Sequence, residues 1–254
     1  MSIMQEKFKA IADKIREKLG TTDLIKPNDF VNKIDKVYEA GKKIEYNEHW
    51  NTYLANTTHT MSLFSGYGWT DKTFKPNKNI VLTGYSVYTF YYSQITDLVK
   101  LLHDSKVTLS VGKCTTLQAL YGYSKVTTSP YLDLTEVDSY NNIFANATNL
   151  KTIEGIKVKE DKVFSYTFGN CPKLEHILVE GTIGQNGFDI SSSKNLDAES
   201  LYSIIVALSK TTTGLTIKLP STAEANYNAN PPEDAPSTWA ELIASRSNWT
   251  IAYA

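Results

Sequence analysis

The sequence predicts an α/β fold in which short repeated units stack into an irregular solenoid, preceded by a helical hairpin and followed by an α/β cap. The central observation is a match between residues 140–153 and 164–177 at an offset of 24 residues. Residues 1–43 show helical periodicity, and residues 211–254 combine strand, loop and helix signals. Units of this size cannot bury their apolar residues alone, so we expect them to stack and share one core.

The repeat follows the pattern aromatic-x3-Phe-x-Asn-[Ala/Cys]-x2-Leu-x2-Ile. Six positions of its two clear copies correspond: Tyr140 and Phe164, Phe144 and Phe168, Asn146 and Asn170, Ala147 and Cys171, Leu150 and Leu174, Ile153 and Ile177. Degenerate copies around Leu98 and Leu117 give leucine spacings of 19, 33 and 24 residues, mostly within or near the range of about 20–29 residues of leucine-rich repeats. We therefore expect a right-handed solenoid with parallel strands over about residues 100–210, with the repeat leucines, isoleucines and phenylalanines buried.

Residues 1–43 are predicted to form a helix–turn–helix module for docking or assembly. Apolar residues recur at spacings of three and four on each predicted helix, Gly20 is placed to end the first helix, and Pro27 to begin the second. The candidate assembly interface consists of Phe8, Ile11, Ile15, Phe30 and Ile34. Because two short helices are marginal alone, this stripe must pack on another copy, on another protein, or back on its own chain as a cap.

The remaining residues, 44–254, are predicted to form one leucine-rich-repeat domain. It begins with an aromatic-rich cap over residues 44–96, continues through the repeats at 97–210, and ends in a C-terminal cap at 211–254. A helix is expected at 197–209, ahead of a strand at 215–219 and a proline-rich exposed loop at 220–236.

Charge and composition exclude several classes of protein. The net charge is −1 and no run of Lys or Arg exceeds two residues, so nucleic-acid binding is not expected. No stretch approaches the 18 or so apolar residues of a membrane span, and the first twenty residues have no apolar core of a secretory signal. Cys114 and Cys171 are too few for a disulfide scaffold, and Cys171 is expected to be a small buried hydrophobe.

The sequence offers no catalytic, cofactor-binding or metal-binding residues, so we expect a protein that is not an enzyme and has no cofactor. Its four histidines lie outside metal-ligand spacings, and no phosphate-binding loop, nucleophile elbow or dinucleotide motif occurs. A cell-wall hydrolase is the enzyme alternative, because a pair of carboxylates for glycoside hydrolysis leaves no spacing signature.

Tyrosine is the residue type that points to binding. The chain has 16 tyrosines, and a tyrosine ring combines an apolar face with a hydrogen-bonding tip that suits sugars and proteins alike. Most tyrosines before residue 97 are expected to fill the core. Tyr121 and Tyr123, on either side of Gly122 in a loop-like stretch, are the candidate surface-binding residues.

With the repeats placed, the chain resembles a known family. Its Phe-x-Asn-[Ala/Cys]-x2-Leu-x2-Ile units look like the BspA-type leucine-rich repeats of bacterial surface and phage proteins. The opening motif around residues 11–30 is similar to the N-terminal module of tail and baseplate proteins from phages of Firmicutes, and residues 201–205 with 248–250 are similar to their C-terminal ends.

This resemblance implies a non-catalytic structural protein of the phage virion, a tail or baseplate component that contributes to host-surface attachment. Such a protein assembles in the bacterial cytoplasm, which agrees with the lack of a secretory signal. The implied partners are other virion proteins, copies of the same chain in a homo-oligomer (a trimer is favoured), and a host-surface glycan or protein. A head-decoration or head-fibre protein and a bacterial cell-surface adhesin are the alternatives.

Overall fold

The computed structural model describes residues 63–254, and all paired strands in this range run parallel. The strands are β1 (Ile80–Tyr85), β2 (Leu109–Thr116), β3 (Thr128–Ser129), β4 (Leu132–Asp133), β5 (Val137–Ser139), β6 (Thr152–Val158), β7 (His176–Gly181), β8 (Leu215–Leu219) and β9 (Trp249–Tyr253). The helices are α1 (Leu98–Asp104), α2 (Ala198–Ala207), α3 (Ala223–Ala229) and α4 (Trp239–Ala244). The predicted module at 1–43 lies outside the described residues, as do Phe8, Ile11, Ile15, Phe30 and Ile34.

The strands form three small sheets in a mixed α/β arrangement. The first has the order β1-β2-β5, and the last pairs β8 with β9. In the second sheet β6 pairs with β3, β4 and β7. The pairing of β6 with β7 sets Thr152 opposite His176 and Ile153 opposite Ile177. The 24-residue offset of the sequence repeat is therefore the register of these two strands, which confirms the predicted parallel pairing at this point.

The apolar residues of the repeat lie in the core, as predicted. All seven are at most 1% exposed: Leu117, Phe144, Leu150, Ile153, Phe168, Leu174 and Ile177. Buried aromatic rings from successive units form a continuous inner column with centroid separations of 5.0 to 6.2 Å, in the order Phe64, Phe90, Tyr121, Phe144, Phe168 and Phe188. Each ring contact of this kind contributes about 0.5–1.5 kcal/mol beyond the area that it buries.

A turn with two left-handed residues, four positions apart, recurs in four units of the chain. The pairs are Tyr88 and Tyr92, Ala119 and Tyr123, Asn142 and Asn146, and Tyr166 and Asn170, all with φ between 51° and 59°. Within each turn the carbonyl of the first left-handed residue accepts a hydrogen bond from the amide three positions later. Asparagine tolerates this backbone conformation better than most residues, which explains the asparagine of the sequence motif.

Helix α2 covers the open edge of strand β7. Ser200 Oγ accepts a hydrogen bond from the Ile177 amide at 2.8 Å, and Ser203 Oγ accepts one from the Val179 amide at 3.2 Å. An uncovered strand edge would leave these amide groups available for pairing with another chain. The helix thus ends the sheet with side-chain acceptors instead of a further strand.

Most elements expected in the C-terminal region are present, and two sequence expectations, one there and one earlier in the chain, are wrong. Strand β8 and the Thr238–Glu241 capping box of α4 lie where the sequence predicts them. The expected exposed loop at 220–236 is wrong in part, because it contains helix α3 with Tyr227 fully buried. The weak repeat copy at Leu98 is also wrong, because its leucines lie in helix α1.

Candidate functional site

Five tyrosines from three consecutive turns form one cluster, the tyrosine surface, which consists of Tyr67, Tyr88, Tyr91, Tyr92 and Tyr123. Tyr67 is 70% exposed, Tyr92 38% and Tyr123 46%. Tyr88 is also exposed, whereas Tyr91 is half-buried. Large aromatic side chains are usually withdrawn from water, so an exposed cluster of them indicates a contact surface.

Three rings of this surface stack along the direction in which the units succeed one another. The Tyr92 ring centroid lies 5.6 Å from that of Tyr67, at an interplanar angle of 22°, and 5.6 Å from that of Tyr123, at 23°. Because its neighbours come from the preceding and the following turn, the Tyr92 ring lies between two near-parallel rings. The middle ring therefore presents mainly its edge and hydroxyl group to solvent.

Tyr91 supports the stack from the side. Its ring meets Tyr92 edge-on at 4.4 Å and Tyr123 at 5.6 Å and 89°. The ring lies over Gly122, where a Cβ atom would come within 2.9 Å of Tyr91 Cδ2, so the glycine makes room for it. Burial, together with a hydrogen bond to Tyr92, raises the pKa of Tyr91 to about 12. The phenol accordingly remains a neutral donor and acceptor at physiological pH.

Tyr92 and Tyr123 are held outward by backbone that disfavours them. Their φ angles are 57° and 54°, in the left-handed region where a residue with a Cβ atom is strained by about 1–2 kcal/mol. The preceding turn has Gly66 at the corresponding position, with φ 102°, and the next turn has Asn146. The same position is therefore compatible with residues that adopt this conformation at lower cost.

The two sequence-predicted surface residues have different environments. Tyr123 is exposed, as expected, whereas the expectation that Tyr121 is exposed is wrong. Tyr121 is fully buried in the inner aromatic column, its ring lies 5.5 Å from that of Phe90, and its hydroxyl shares a 3.0 Å hydrogen bond with Ser129 Oγ. Burial raises the pKa of Tyr121 as well.

The signal that places Tyr121 is present in the sequence. The segment Leu117-x3-Tyr121 corresponds to Tyr140-x3-Phe144, since the Leu120 amide donates to the Ile143 carbonyl and the Tyr121 ring stacks on Phe144. Leu117 thus occupies the aromatic position of the repeat, not its leucine position. The expectation that most tyrosines before residue 97 fill the core is wrong for the described residues, because Tyr67, Tyr85, Tyr88 and Tyr92 are exposed and Tyr91 is half-buried.

The two cysteine thiols are enclosed, whereas His176 and Asp197 are partly exposed. Cys114 and Cys171 are buried free thiols that donate to the carbonyls of Leu82 and Phe144, and burial raises their pKa values to about 11 and about 12. His176 pairs with Asp197 at 2.7 Å. Within residues 63–254 no group of three His, Cys, Asp or Glu side chains is placed to hold a metal ion. None of the helices in this range is long and apolar enough to span a membrane.

Comparison with known proteins adds no relative. No protein-family model matches the chain, and no curated protein or solved structure matches it. The geometry of the tyrosine surface and the sequence repeats are consequently the observations from which a function is inferred.

Proposed function

We propose that the chain is a non-catalytic structural protein of a phage virion, a tail or baseplate component, and that its tyrosine surface contributes to host attachment. The described region would be an irregular leucine-rich-repeat solenoid of the BspA type. Three features support this architecture: strands β6 and β7 pair in parallel at the repeat offset, the inner aromatic column runs through six units, and the same turn recurs in four of them.

The observation that carries the binding role is the placement of Tyr92 and Tyr123. Each ring is exposed on a left-handed backbone position that costs about 1–2 kcal/mol for such a residue, although glycine and asparagine occupy the corresponding position elsewhere in the chain. Strained backbone of this kind clusters at functional sites, so its combination with an exposed aromatic ring supports a contact role. Stacking among the rings offsets part of this backbone strain. Stacked rings could equally be buried, so stacking alone does not explain why these rings are exposed.

The chemistry of the surface favours a protein as its partner. A pyranose ring stacks on an open aromatic face, but the Tyr92 ring lies between those of Tyr67 and Tyr123. The middle of the stack therefore offers ring edges and phenol hydroxyls, and tyrosine-rich surfaces of this type are common in protein recognition. A protein of the host envelope is therefore the receptor class that we assign to it.

The virion location rests on the sequence resemblance at both ends of the chain. In that arrangement the predicted module at 1–43 joins the chain to copies of itself or to other virion proteins, and the repeat domain is the free, binding end. A head-decoration or head-fibre position would use the same two parts.

Mass spectrometry of purified phage particles tests the location. The proposal predicts that peptides of this chain occur in the particles in a fixed ratio to the other tail proteins. Particles without the chain, combined with its recovery from the bacterial envelope, would contradict the virion assignment and favour an adhesin.

A further inference from the structure

A cleft of about 460 Å³ lies apart from the tyrosine surface, at the last of the four recurring turns. Tyr166 and Asn170 of that turn line it, together with Asp189, Ser192 and Lys218. The buried side chain of Phe188 also lines it. A volume in this range is typical of small-molecule sites and is sufficient for one or two sugar rings.

The walls of this cleft are fixed by close backbone packing. Gly187 has φ 98°, and a Cβ atom there would come within 2.2 Å of the Phe164 carbonyl oxygen. Asn186 Oδ1 accepts a hydrogen bond from the Thr216 amide at 3.0 Å. Asp189 Oδ1 accepts from the amide and the hydroxyl of Ser191, at 3.1 and 2.6 Å. The polar groups are thus held in place before any ligand arrives, which lowers the entropy cost of binding.

The charges of the cleft balance each other. Among the described residues that line it, Asp189 and Lys218 are the two charged groups, and their side chains pair at 3.4 Å. An anionic ligand would have to approach Asp189, and a cationic one Lys218. A wholly apolar ligand would strip water from the surrounding amides and hydroxyls without replacing their hydrogen bonds. The lining therefore fits a neutral ligand that carries many hydroxyl or amide groups.

Tyr166 supplies an apolar face at the rim. It is 55% exposed, with φ 54°, and no ring of the described residues stacks on it, unlike Tyr92 and Tyr123. The ring lies over Gly169, where a Cβ atom would come within 2.4 Å of it. One side of the ring is therefore supported by the backbone, and the strained, exposed ring has the form of a platform for a second flat group.

We propose that this cleft binds a neutral saccharide, whose C–H face packs on Tyr166 while its hydroxyls hydrogen-bond to Asn170, Asp189 and Ser192. Asn170 Nδ2 donates to Asn146 at 3.0 Å, and its amide oxygen is available to accept from a ligand. The chemistry is recognition without cleavage, because Asp189 is the only carboxylate among the described lining residues and glycoside hydrolysis requires two. The proposal goes beyond the attachment role of the tyrosine surface and does not depend on it.

Titration of the purified full-length chain with neutral sugars tests this site. The probes are di-N-acetylchitobiose, maltose, lactose and methyl mannoside, followed by isothermal calorimetry and by NMR saturation transfer. At least one of them should bind with a Kd on the order of 1 mM. Failure of all four to saturate at tenfold that concentration would overturn the proposal.

Two variants and a control locate the binding. Tyr166→Ala removes the platform, and Gly169→Ala displaces the ring without removing it; each should weaken binding at least about tenfold with a nearly unchanged melting temperature. Tyr85→Ala removes an exposed tyrosine outside the cleft and should leave the Kd unchanged. Equal losses in all three variants, or none in either cleft variant, would refute the site. Because no cells or particles are used, the outcome is independent of the proposed attachment function.

Discussion

At Tyr92 and Tyr123 an aromatic side chain occupies a position where asparagine would adopt the same conformation at lower cost. In the double variant Tyr92→Asn/Tyr123→Asn, the strain relieved, about 1–2 kcal/mol per site, offsets the ring stacking lost, about 0.5–1.5 kcal/mol per pair. We therefore expect the melting temperature to change by less than about 4 °C, as measured by differential scanning calorimetry. A much larger decrease would mean that the rings are retained for stability and not for contact.

The two thiols provide a second prediction at this scale. Because burial raises the pKa values of Cys114 and Cys171 to about 11 and about 12, both remain protonated near neutral pH. An aromatic disulfide reagent at pH 8 should label neither in the native protein and both after denaturation in urea, since the thiolate is the reactive form. Labelling of the native protein at the denatured rate would contradict their enclosure.

The same shifts set a pH dependence of stability. A thiol whose pKa is raised in the folded state binds more protons there than in the unfolded chain, once the pH passes the ordinary value near 9. The contribution of these thiols to the free energy of unfolding is complete below about pH 9 and is lost as the pH rises toward 11–12. Tyr140, whose pKa burial raises to about 12, adds to the effect. Urea denaturation at pH 8 and at pH 10.5 should give a lower free energy of unfolding at the higher pH; equal values would contradict the shifts.

The residue scale also shows where sequence reasoning fails. The glycine between Tyr121 and Tyr123 predicts that both are exposed, yet the Tyr121 ring lies in the core and only Tyr123 is exposed. Gly122 is there for the ring of Tyr91, thirty-one residues earlier in the chain. A contact between units that far apart leaves no local signature in the sequence.

At the scale of elements, glycine marks where neighbouring strands approach most closely. Gly181, the last residue of β7, has φ 87°, and a Cβ atom there would lie 2.2 Å from the carbonyl oxygen of Val158, the last residue of β6. Gly214 has a similar φ of 73° but open space around it. The two positions therefore separate the cost of backbone strain from the cost of close packing.

Alanine at each glycine measures this difference. Gly214→Ala should cost about 1 kcal/mol for its positive φ alone, whereas Gly181→Ala must also shift the end of a strand, which adds about 1–3 kcal/mol. By thermal denaturation Gly181→Ala should melt at least about 3 °C below Gly214→Ala. Equal melting temperatures would show that β6 and β7 are not held as closely as their register indicates.

Elements with a strong period were predictable, and those defined by irregular spacing were not. The offset between residues 140–153 and 164–177 predicted the pairing of β6 and β7, because each unit repeats the same inward and outward pattern. Helix α1 was missed because Leu98-x2-Leu101 fits both a leucine-rich repeat and one turn of a helix. Helix α3 was missed because the prolines around it predict a loop, although Tyr227 anchors it in the core.

For the whole molecule, the sequence predicts that residues 1–43 serve assembly and that the repeat domain serves binding. Deleting residues 1–43 should leave the unfolding profile of the remainder unchanged but give a monomer in analytical ultracentrifugation that no longer joins particles. The matched control is the full-length variant Phe8→Asp/Ile15→Asp, which disrupts the predicted apolar stripe and should give the same monomer. Unfolding or aggregation of the truncated chain would show that these residues cap the domain.

The role of the tyrosine surface in attachment is tested most directly by binding of the purified full-length chain to intact host cells. Fluorescently labelled wild-type protein should bind saturably, and prior protease treatment of the cells should abolish binding. Tyr92→Asn/Tyr123→Asn should bind at least about tenfold more weakly, a loss of about 1.4 kcal/mol, while the control Tyr85→Ala binds like the wild type. Undiminished binding of the double variant, or binding that survives protease treatment, would contradict the account.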